Sequence, residues 1–436
     1  MDKKTLVLSM APYNFAGAAM ANLSALEIFA TLGATVSFYS QDIPFRAPEM
    51  YRVGIRTVLR SGKSDAYPLS DYVNYGILVE QVIFDATNWL NADPNNKIVL
   101  YATYLFPFCM AMETAARILH SSFAGRIKCI ITPAGSDIWQ IGRQAPSVTK
   151  HLLESSVITR VVTYSDQFRN EIIDSTKINR PIFVIPPAID TNKYHPITRE
   201  KKIKLRITQG IGVKEFVIAH CSNNRPIKGL GHTLEIVWQF AKRSKISICL
   251  LLIGPVTEHL KYHLSQYGCS VENDTFIYRK QIENLKIICV GLRNNVHHWN
   301  VISDVAINTS LHDSFNISLG EFMACEIPIL TTDVVGISKI IKEFNCGMVF
   351  PFSYNPIALD LEYCLPSKTP SKINLDNVVE WLEMISQDEC QRRQLGEQGR
   401  MAIEKYCSYP IIMEQWQNLC CFSDENSVVE RCVCHE

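Results

Sequence analysis

The sequence lacks several features that would place it in a special class of protein. No apolar run reaches the roughly 18–20 residues of a membrane-spanning helix, and the longest strongly apolar stretch is Ile246–Ile253. Charge of one sign is not in excess, because 43 lysines and arginines balance 43 aspartates and glutamates. That balance argues against a protein that binds nucleic acid or another polyanion through bulk charge. The dinucleotide fingerprint G-x-G-x-x-G is also missing, which counts against a nicotinamide or flavin enzyme.

Paired cysteines with metal-binding spacing are lacking as well, although cysteine itself is frequent. The 15 cysteines are scattered, and several, including Cys221, Cys249 and Cys289, stand in apolar segments. Such cysteines are expected to be small buried hydrophobic residues of a reduced, cytoplasmic protein. A cluster at 420–435 has zero or one residue between its paired cysteines, whereas zinc sites usually have about two to four. We therefore expect no metal and no bound cofactor.

The length of the chain and its alternation of short apolar runs with amphipathic runs predict an α/β protein. Two domains of roughly 200 residues are expected for a chain of 436 residues, and alternating strands and helices build parallel sheets. A polar, charged segment at 191–204 separates two such series. We predict a first domain at residues 1–195, a second at 196–405, and a closing helix with a Cys-rich tail at 406–436.

Local patterns predict the individual strands and helices. In the first half, we predict strands at Thr5–Ser9, Thr35–Tyr39, Lys97–Ala102, Ile127–Thr132, Arg160–Tyr164 and Ile182–Ile185, and helices at Ala19–Leu32, Val73–Leu90 and Ala111–Leu119. In the second half, we predict strands at Phe216–Cys221, Ile248–Ile253, Ile287–Val290, Val305–Asn308, Ile327–Leu330 and Met348–Phe350, and helices at His232–Lys242, Ile317–Cys325, Ser338–Phe344, Asp376–Ser386, Glu389–Lys405 and Tyr409–Leu419.

The stretch 304–350 carries the strongest functional signal. A polar loop follows its first strand, and the loop leads into a helix. Asp313 lies in the loop and Glu321 in the second turn of the helix, with seven residues between them. The free backbone N–H groups and the positive dipole end at 315–318 suit a phosphate, and flanking carboxylates suit sugar hydroxyls. We infer a site for a nucleoside diphosphate sugar.

A second charged loop, residues 222–229, joins another strand to its helix. Arg225 and Lys228 could both turn towards an anion there, and Gly229 leaves room for close approach. Arginine offers a forked pair of donors to phosphate oxygens, and lysine offers a mobile point charge. A surface loop with two cations is the plainer interpretation of this motif alone. In series with the two carboxylates, it favours a diphosphate site.

The first half offers weaker candidates at the carboxyl ends of its predicted strands. Gly17 lies in the loop after the first strand, where a backbone could approach a ligand. Asp137 ends a small-residue turn after another strand, and with Tyr104 it is a candidate for binding an acceptor. Arg52 and Arg56 would share one face if their stretch is helical and could bind an anionic acceptor, although a solvated basic face is the plainer explanation.

Several motifs in order along nearly the whole chain resemble one enzyme family. They are TPAGSD at 132–137, VIPPAIDTNKYHP at 184–196, SNNRPIKG at 222–229, LLIGP at 251–255 and DSFNISLGEFMACEIPILTTDVVGI at 313–337. The interdomain segment is similar to the family's VIPNGVD, and the last motif is similar to its signature of two glutamates with seven residues between them. The chain resembles a retaining glycosyltransferase of the GT-B fold, in glycosyltransferase family 4 (glycosyl transferases group 1).

The resemblance implies two Rossmann-like domains facing across a cleft, with the closing helix crossing back to the first domain. The donor, with UDP as its expected nucleotide, would lie mainly on the second domain. There Arg225 and Lys228 would hold the diphosphate, Glu321 the ribose hydroxyls, and Asp313 would lie by the donor sugar. Such enzymes need no metal, and attack on the front face is assisted by the leaving phosphate. The donor-binding residues that we predict also include Phe315, Asn316, Ile317, Ser318, Gly17, Gly254 and Arg293.

The sequence departs from the family pattern at four positions. Asp313 replaces the first signature glutamate, and Ala134 stands where many members have a histidine by the donor sugar. Pro187 replaces an asparagine, and Lys339 replaces a frequent glutamate. Two other interpretations therefore stay open. The protein could be a catalytically impaired nucleotide-sugar binder or regulatory subunit, or it could be a nucleotide-sugar epimerase. The acceptor hydroxyl, peripheral membrane association and the oligomeric state also stay open.

Overall fold

The computed structural model describes residues 1, 3–11, 17–40, 55–59, 69–135, 137–138, 145–269, 278–352 and 375–422. The chain divides into two compact units. One consists of Met1–Ala188 with Tyr409–Glu436, and the other of Ile189–Ser408. Each unit contains one mainly parallel sheet with helices, which confirms the predicted α/β class. The domain borders predicted at residues 195 and 405 stay predictions.

Each unit is built on a seven-stranded sheet. The first sheet has the order β3-β2-β1-β4-β5-β6-β7, and the second has the order β10-β11-β9-β8-β12-β13-β14. Neighbouring strands are parallel except for the antiparallel pair of β10 and β11. The strands are β1 (Thr5–Met10), β2 (Thr35–Ser40), β3 (Ile55–Leu59), β4 (Lys97–Thr103), β5 (Ile127–Thr132), β6 (Arg160–Thr163), β7 (Ile182–Val184), β8 (Phe216–Cys221), β9 (Ile248–Ile253), β10 (Tyr278–Ile282), β11 (Leu285–Gly291), β12 (Val305–Asn308), β13 (Ile329–Thr332) and β14 (Gly347–Phe350).

Helices connect most of these strands, as parallel pairing requires. They are α1 (Gly17–Thr31), α2 (Leu69–Ala92), α3 (Met110–Phe123), α4 (Pro146–Leu153), α5 (Asp166–Thr176), α6 (Arg199–Thr208), α7 (Leu230–Arg243), α8 (Glu258–Ser265), α9 (Val296–Asn300), α10 (Ile317–Ala324), α11 (Ser338–Glu343), α12 (Leu375–Gln387), α13 (Glu389–Tyr406) and α14 (Tyr409–Cys420). A π-helical turn at Leu105–Cys109 precedes α3, and a 3₁₀ turn at Pro226–Lys228 precedes α7. No described helix is both long enough and apolar enough to cross a bilayer.

The first sheet is buried on both faces. Leu6, Leu8 and Met10 of β1 belong to one apolar cluster, whereas Val7 of the same strand belongs to another. Side chains alternate between the two faces of a strand, so a strand covered on both sides must be apolar at every position. For this reason, the central strands of this sheet can be predicted from uninterrupted apolar runs in the sequence.

Helix α14 completes the first unit although it lies at the other end of the sequence. Its Trp416 packs edge to face against Phe29 of α1 and Tyr101 of β4, with ring centroids 5.1 and 5.4 Å apart. Such aromatic pairs add about 0.5–1.5 kcal/mol to the free energy gained by burying their area. The predicted return of the closing helix to the first domain is confirmed.

A buried ion cluster fixes one side of the second sheet. Asp304, just before β12, lies 2.7 Å from the Arg206 guanidinium and 3.0 Å from the Lys202 ammonium group. Burial opposes ionisation of Asp304, but the two cations outweigh it and lower the pKa of its carboxyl group to about 2. Because Asp304 also accepts the N–H of Val217, the cluster joins α6, β8 and β12.

Arg56 does not lie in a helix. It belongs to β3, so the condition under which Arg52 and Arg56 would share one helix face is not met at Arg56, and their binding of an acceptor stays a prediction. A short strand of mixed polarity at the edge of a sheet lacks the continuous apolar run that reveals a central strand. Arg52 itself and the cysteines after residue 422 lie outside the described residues.

Candidate active site

The two charged loops lie side by side because their strands pair. Strands β8 and β12 are parallel neighbours, with Ile218 opposite Val305, so both chains leave the sheet at the same edge. The loops are also joined directly, because the N–H of Leu311 donates to the carbonyl of Ile227 over 2.8 Å. The structure thus brings together two segments that are far apart in sequence, as expected for a ligand site at the carboxyl edge of a parallel sheet.

A network of buried polar side chains holds the loop 222–229. The Asn224 side chain is fully buried, with its amide N–H donating to the carbonyl of Pro255 (2.9 Å) and its amide oxygen 3.1 Å from the hydroxyl of Ser222. The Ser222 hydroxyl also lies 2.9 Å from Nε2 of His220, while Nδ1 of that imidazole lies 3.2 Å from the Thr233 hydroxyl. None of these residues was predicted as a site residue. The only signals are the polarity of His220 within an apolar strand and of Ser222 and Asn224 just after it.

Two glycines allow the close approach of neighbouring backbones. At Gly229, where φ is +66°, a Cβ atom would lie 1.9 Å from the carbonyl oxygen of Thr309. At Gly254, where φ is +143°, it would lie 1.8 Å from the carbonyl oxygen of Ser222. Both positions therefore require glycine for packing and for backbone conformation. The predicted contact of Gly254 with a donor is a separate matter and stays a prediction.

The two cations of this loop have different environments. The Lys228 ammonium group lies 2.6 Å from Oδ2 of Asp313. The Arg225 side chain is exposed, and its guanidinium has no ion-pair or hydrogen-bond partner within the described ranges. The site thus contains one cation with a carboxylate beside it and one cation open to an incoming anion.

Helix α10 begins beside this ion pair. Asn316 caps it in the left-handed conformation, with its side chain accepting the N–H of Leu319 over 3.2 Å. The Ser318 hydroxyl is 2.8 Å from the same side chain and 3.0 Å from the carbonyl of Cys221. The cap leaves the first N–H groups of the helix, those of Ile317 and Ser318, to an anion. Of the four predicted donor residues at this helix start, Phe315 has a buried side chain, so its ring supports the core.

Glu321 lies one turn further along α10, half-buried. Tyr194 is close to it, since burial and the neighbouring charge and hydrogen bonding of Glu321 raise the pKa of the Tyr194 phenol. Helix α13 packs closely against the end of α10. A Cβ atom at Gly396 of α13 would lie 2.1 Å from the carbonyl oxygen of Glu326, two residues after α10. Tyr194 was not predicted as a site residue, although it stands in the motif at 184–196.

Part of the chain matches a known protein family. Residues 201–362, which contain both cations, Asp313 and Glu321, match the family described as glycosyl transferases group 1. The protein is a glycosyltransferase. A relative among characterised proteins, N-acetyl-alpha-D-glucosaminyl L-malate synthase of Bacillus anthracis, is 24% identical over 319 residues, which cover 72% of this chain and 75% of that protein.

Solved structures resemble this glycosyltransferase over nearly its whole length. Sucrose-phosphate synthase from Thermosynechococcus elongatus superimposes with a TM-score of 0.68 and 14% identity, covering 95% of this chain and 98% of that one. HepE of Anabaena, solved in complex with UDP-glucose, gives a TM-score of 0.64 and 15% identity, covering 94% and 98%. These likenesses show the GT-B fold, and the predicted fold class is confirmed.

Arg293 lies on the same edge of the second sheet of the glycosyltransferase. It follows β11, which is parallel to β9, and the N–H of Gly254 donates to the carbonyl of Gly291 over 3.2 Å. The Arg293 side chain is half-exposed. The structure therefore places this predicted donor residue in a loop adjoining Gly254, and its contact with a donor stays a prediction.

In the first unit, Asp137 supports loops instead of facing solvent. It is fully buried, and its carboxylate accepts the N–H groups of Leu105 (2.8 Å), Gly135 (2.7 Å) and Ala134 (3.1 Å). Burial raises the pKa of Asp137, and these hydrogen bonds oppose the increase. Tyr104, which has a φ of 81°, directly precedes Leu105. The hydrogen bond from Leu105 to Asp137 therefore joins the two loops that contain the predicted acceptor-binding residues Tyr104 and Asp137.

Gly17 is the first residue of α1. Its place after β1 agrees with a loop that leads from the sheet into a helix. Its contact with the donor stays a prediction.

Three histidines, of which His220 and His263 are buried and His232 is half-buried, make the stability of the second unit depend on pH. Burial lowers the pKa values of His220, His232 and His263 to about 4. Since the unfolded chain has His pKa values near 6.5, it binds more protons than the folded protein between about pH 6.5 and 4. We expect the free energy of unfolding to decrease in this window as the pH falls, by up to about 1.4 kcal/mol per pH unit for each histidine. Urea unfolding at several pH values measures the slope.

The control for this pH dependence is His232→Gln, which removes one titrating group. Its slope between pH 6.5 and about 4 should be smaller than that of the wild type. An unchanged slope would show that His232 does not contribute to the dependence of the free energy of unfolding on pH.

Proposed function

We propose that this glycosyltransferase moves a sugar from a UDP-sugar to a hydroxyl group of an acceptor, with retention of anomeric configuration and without a metal ion. The observation that carries the proposal is the convergence of Arg225, Lys228 and the start of α10 at one edge of the second sheet. Two cations and a helix N-terminus are suited to the charge of a diphosphate. Glu321, one helical turn further on, is suited to the ribose hydroxyls.

Charge stabilisation by the protein itself accounts for the chemistry. As the bond between sugar and diphosphate breaks, negative charge grows on the leaving phosphate, and Arg225 and Lys228 would stabilise it where it forms. The acceptor hydroxyl would attack from the same face and pass its proton to the leaving phosphate oxygen. The remaining task of the protein is to hold the acceptor hydroxyl and the donor in the orientation that this attack on the same face requires. The structure of HepE, which was solved with UDP-glucose, supports the choice of UDP.

The cellular location follows from cysteine chemistry in this proposal. None of the twelve cysteines within the described ranges forms a disulfide, and most are buried. Burial raises the pKa of several of them, for example that of Cys249 to about 12. Buried thiols outside disulfides are typical of a reducing compartment, so we propose that the reaction takes place in the cytoplasm.

A thermal-shift screen of nucleoside diphosphate sugars tests the donor. UDP-sugars should raise the melting temperature by several degrees, since a ligand at 100 times its Kd adds about 2.7 kcal/mol to the free energy of unfolding. The shift should shrink in Arg225→Ala and Glu321→Ala. Arg393→Ala is the matched control, because this arginine is in the same unit and its side chain is 72% exposed. Stabilisation that persists with EDTA supports metal independence, and no response to any nucleotide sugar would contradict the proposal.

The stereochemistry of transfer is tested separately. Proton NMR of the first product formed should show the anomeric configuration of the donor. Inversion would rule out the front-face mechanism while leaving the donor assignment in place.

A further inference from the structure

The ion pair of Lys228 and Asp313 places a carboxylate where the proposed donor has its diphosphate. Nζ of Lys228 and Oδ2 of Asp313 are 2.6 Å apart, and the two side chains are 22% and 13% exposed. The pair is thus partly shielded from water, which strengthens the attraction relative to a surface pair. A diphosphate that approaches Lys228 meets a cation whose charge is already balanced.

The two partners differ in their freedom to move. Oδ1 of Asp313 accepts the N–H of Phe315 over 3.3 Å, and its main-chain carbonyl accepts the N–H of Gly336 over 2.8 Å. Aspartate has a short side chain, so these contacts leave its carboxylate little range. Lys228 ends a 3₁₀ turn and carries its charge on four rotatable carbons. Lysine is therefore the partner that can turn from the carboxylate to a phosphate.

We propose that Asp313 is a displaceable counter-ion of Lys228. In the empty site it holds the lysine in place, and it yields the lysine to the diphosphate of an incoming donor. The residue is a positioning residue in this role, and it acts through Lys228. Its charge weakens the binding of the nucleoside diphosphate and thereby favours release of that product. The inference rests on the proposed function, because it concerns the same diphosphate site.

Binding of UDP without a sugar isolates this role. Isothermal titration calorimetry at low salt would compare wild type, Asp313→Asn, Lys228→Met and the double variant. Asp313→Asn should bind UDP about 2- to 5-fold more tightly, the range expected for a partly exposed charge pair, while Lys228→Met should bind it more weakly. In the Lys228→Met background, Asp313→Asn should gain less affinity, since there is no lysine to release.

Two controls separate this effect from a general change of charge. Asp333→Asn removes a negative charge from the same edge of the sheet, where Asp333 accepts the N–H of Phe352 over 2.9 Å, and its affinity for UDP should stay near that of wild type. Uridine, which lacks the diphosphate, should bind wild type and Asp313→Asn equally. Asp313→Ala replaces the asparagine variant if thermal melting shows that the latter is unfolded.

The outcomes separate the inference from the proposed function. Tighter binding of UDP by Asp313→Asn, with a smaller gain in the Lys228→Met background, supports the counter-ion. Unchanged or weaker binding of UDP by Asp313→Asn overturns it, and a loss confined to UDP-sugars would instead assign Asp313 to the sugar. Failure of wild type to bind UDP would overturn the proposed UDP-dependent function, and with it the inference that rests on it.

Discussion

Lys228→Met is expected to lower kcat/KM for sugar transfer by about 10²–10³-fold, the cost usually measured when one preorganised charge-stabilising group is lost. Methionine keeps most of the length of the side chain but offers no charge to the leaving diphosphate. The carboxylate of Asp313, 2.6 Å from the ammonium group in the native protein, would also remain without its cation and repel the phosphate. Initial rates with the UDP-sugar found in the thermal-shift screen measure the effect.

Lys261→Met is the matched control for this loss of a lysine. Lys261 belongs to the same unit, has a side chain that is 29% exposed and lies 3.0 Å from Glu258. Its replacement removes an ion pair within α8, outside the two loops that carry Lys228 and Asp313, so the rate should change less than about twofold, as expected for a surface pair. If Lys228→Met also kept its rate within about threefold, Lys228 would have no part in transfer.

Gly229→Ala is expected to destabilise the second unit by about 3–5 kcal/mol, since it combines overpacking with an unfavourable backbone conformation. The new Cβ atom would lie 1.9 Å from the carbonyl oxygen of Thr309, at a φ of +66°. The hydroxyl of Thr309 also donates to the carbonyl of Gly229 over 2.7 Å. Relief of the overlap would therefore separate the loops that carry Lys228 and Asp313. Urea unfolding measures the stability, and UDP titration measures the site.

Gly268→Ala separates the two causes. Gly268 has a φ of +68°, but a Cβ atom there would have open space around it. This control should show only the cost of the backbone conformation, about 1–2 kcal/mol, with unchanged UDP binding. Equal losses in Gly229→Ala and Gly268→Ala would show that the contact with Thr309 does not matter.

Central strands were predicted well because burial on both faces demands a continuous apolar run. Predicted and observed bounds are the same for β5 (Ile127–Thr132), β8 (Phe216–Cys221) and β9 (Ile248–Ile253). The prediction at 327–330 begins two residues before β13 (Ile329–Thr332), because Pro328 has no N–H to donate to a ladder. The edge strands β3 and β10 escaped prediction, since polar residues are tolerated where one side of a strand meets no neighbour.

The site residues show a similar limit. Arg225, Lys228, Asp313 and Glu321 were found because charge is conspicuous in loops after apolar strands. The ion pair between Lys228 and Asp313 was not predicted. Asp313 was predicted to lie by the donor sugar, and in this structure it contacts Lys228. Whether it also contacts the sugar stays a prediction.

The sequence by itself determined which segments form the central strands of the two sheets, in what order the charged loops follow them, and which family the motifs resemble. These properties are local, since they depend on the period of apolar residues and on the chemistry of short motifs. Tertiary structure alone decided that β8 and β12 are neighbours, which brings Lys228 to Asp313. It also decided that Asp137 is a buried support whose carboxylate accepts backbone N–H groups. The pairing of distant strands and the burial of a carboxylate depend on the whole fold, and no local pattern encodes them.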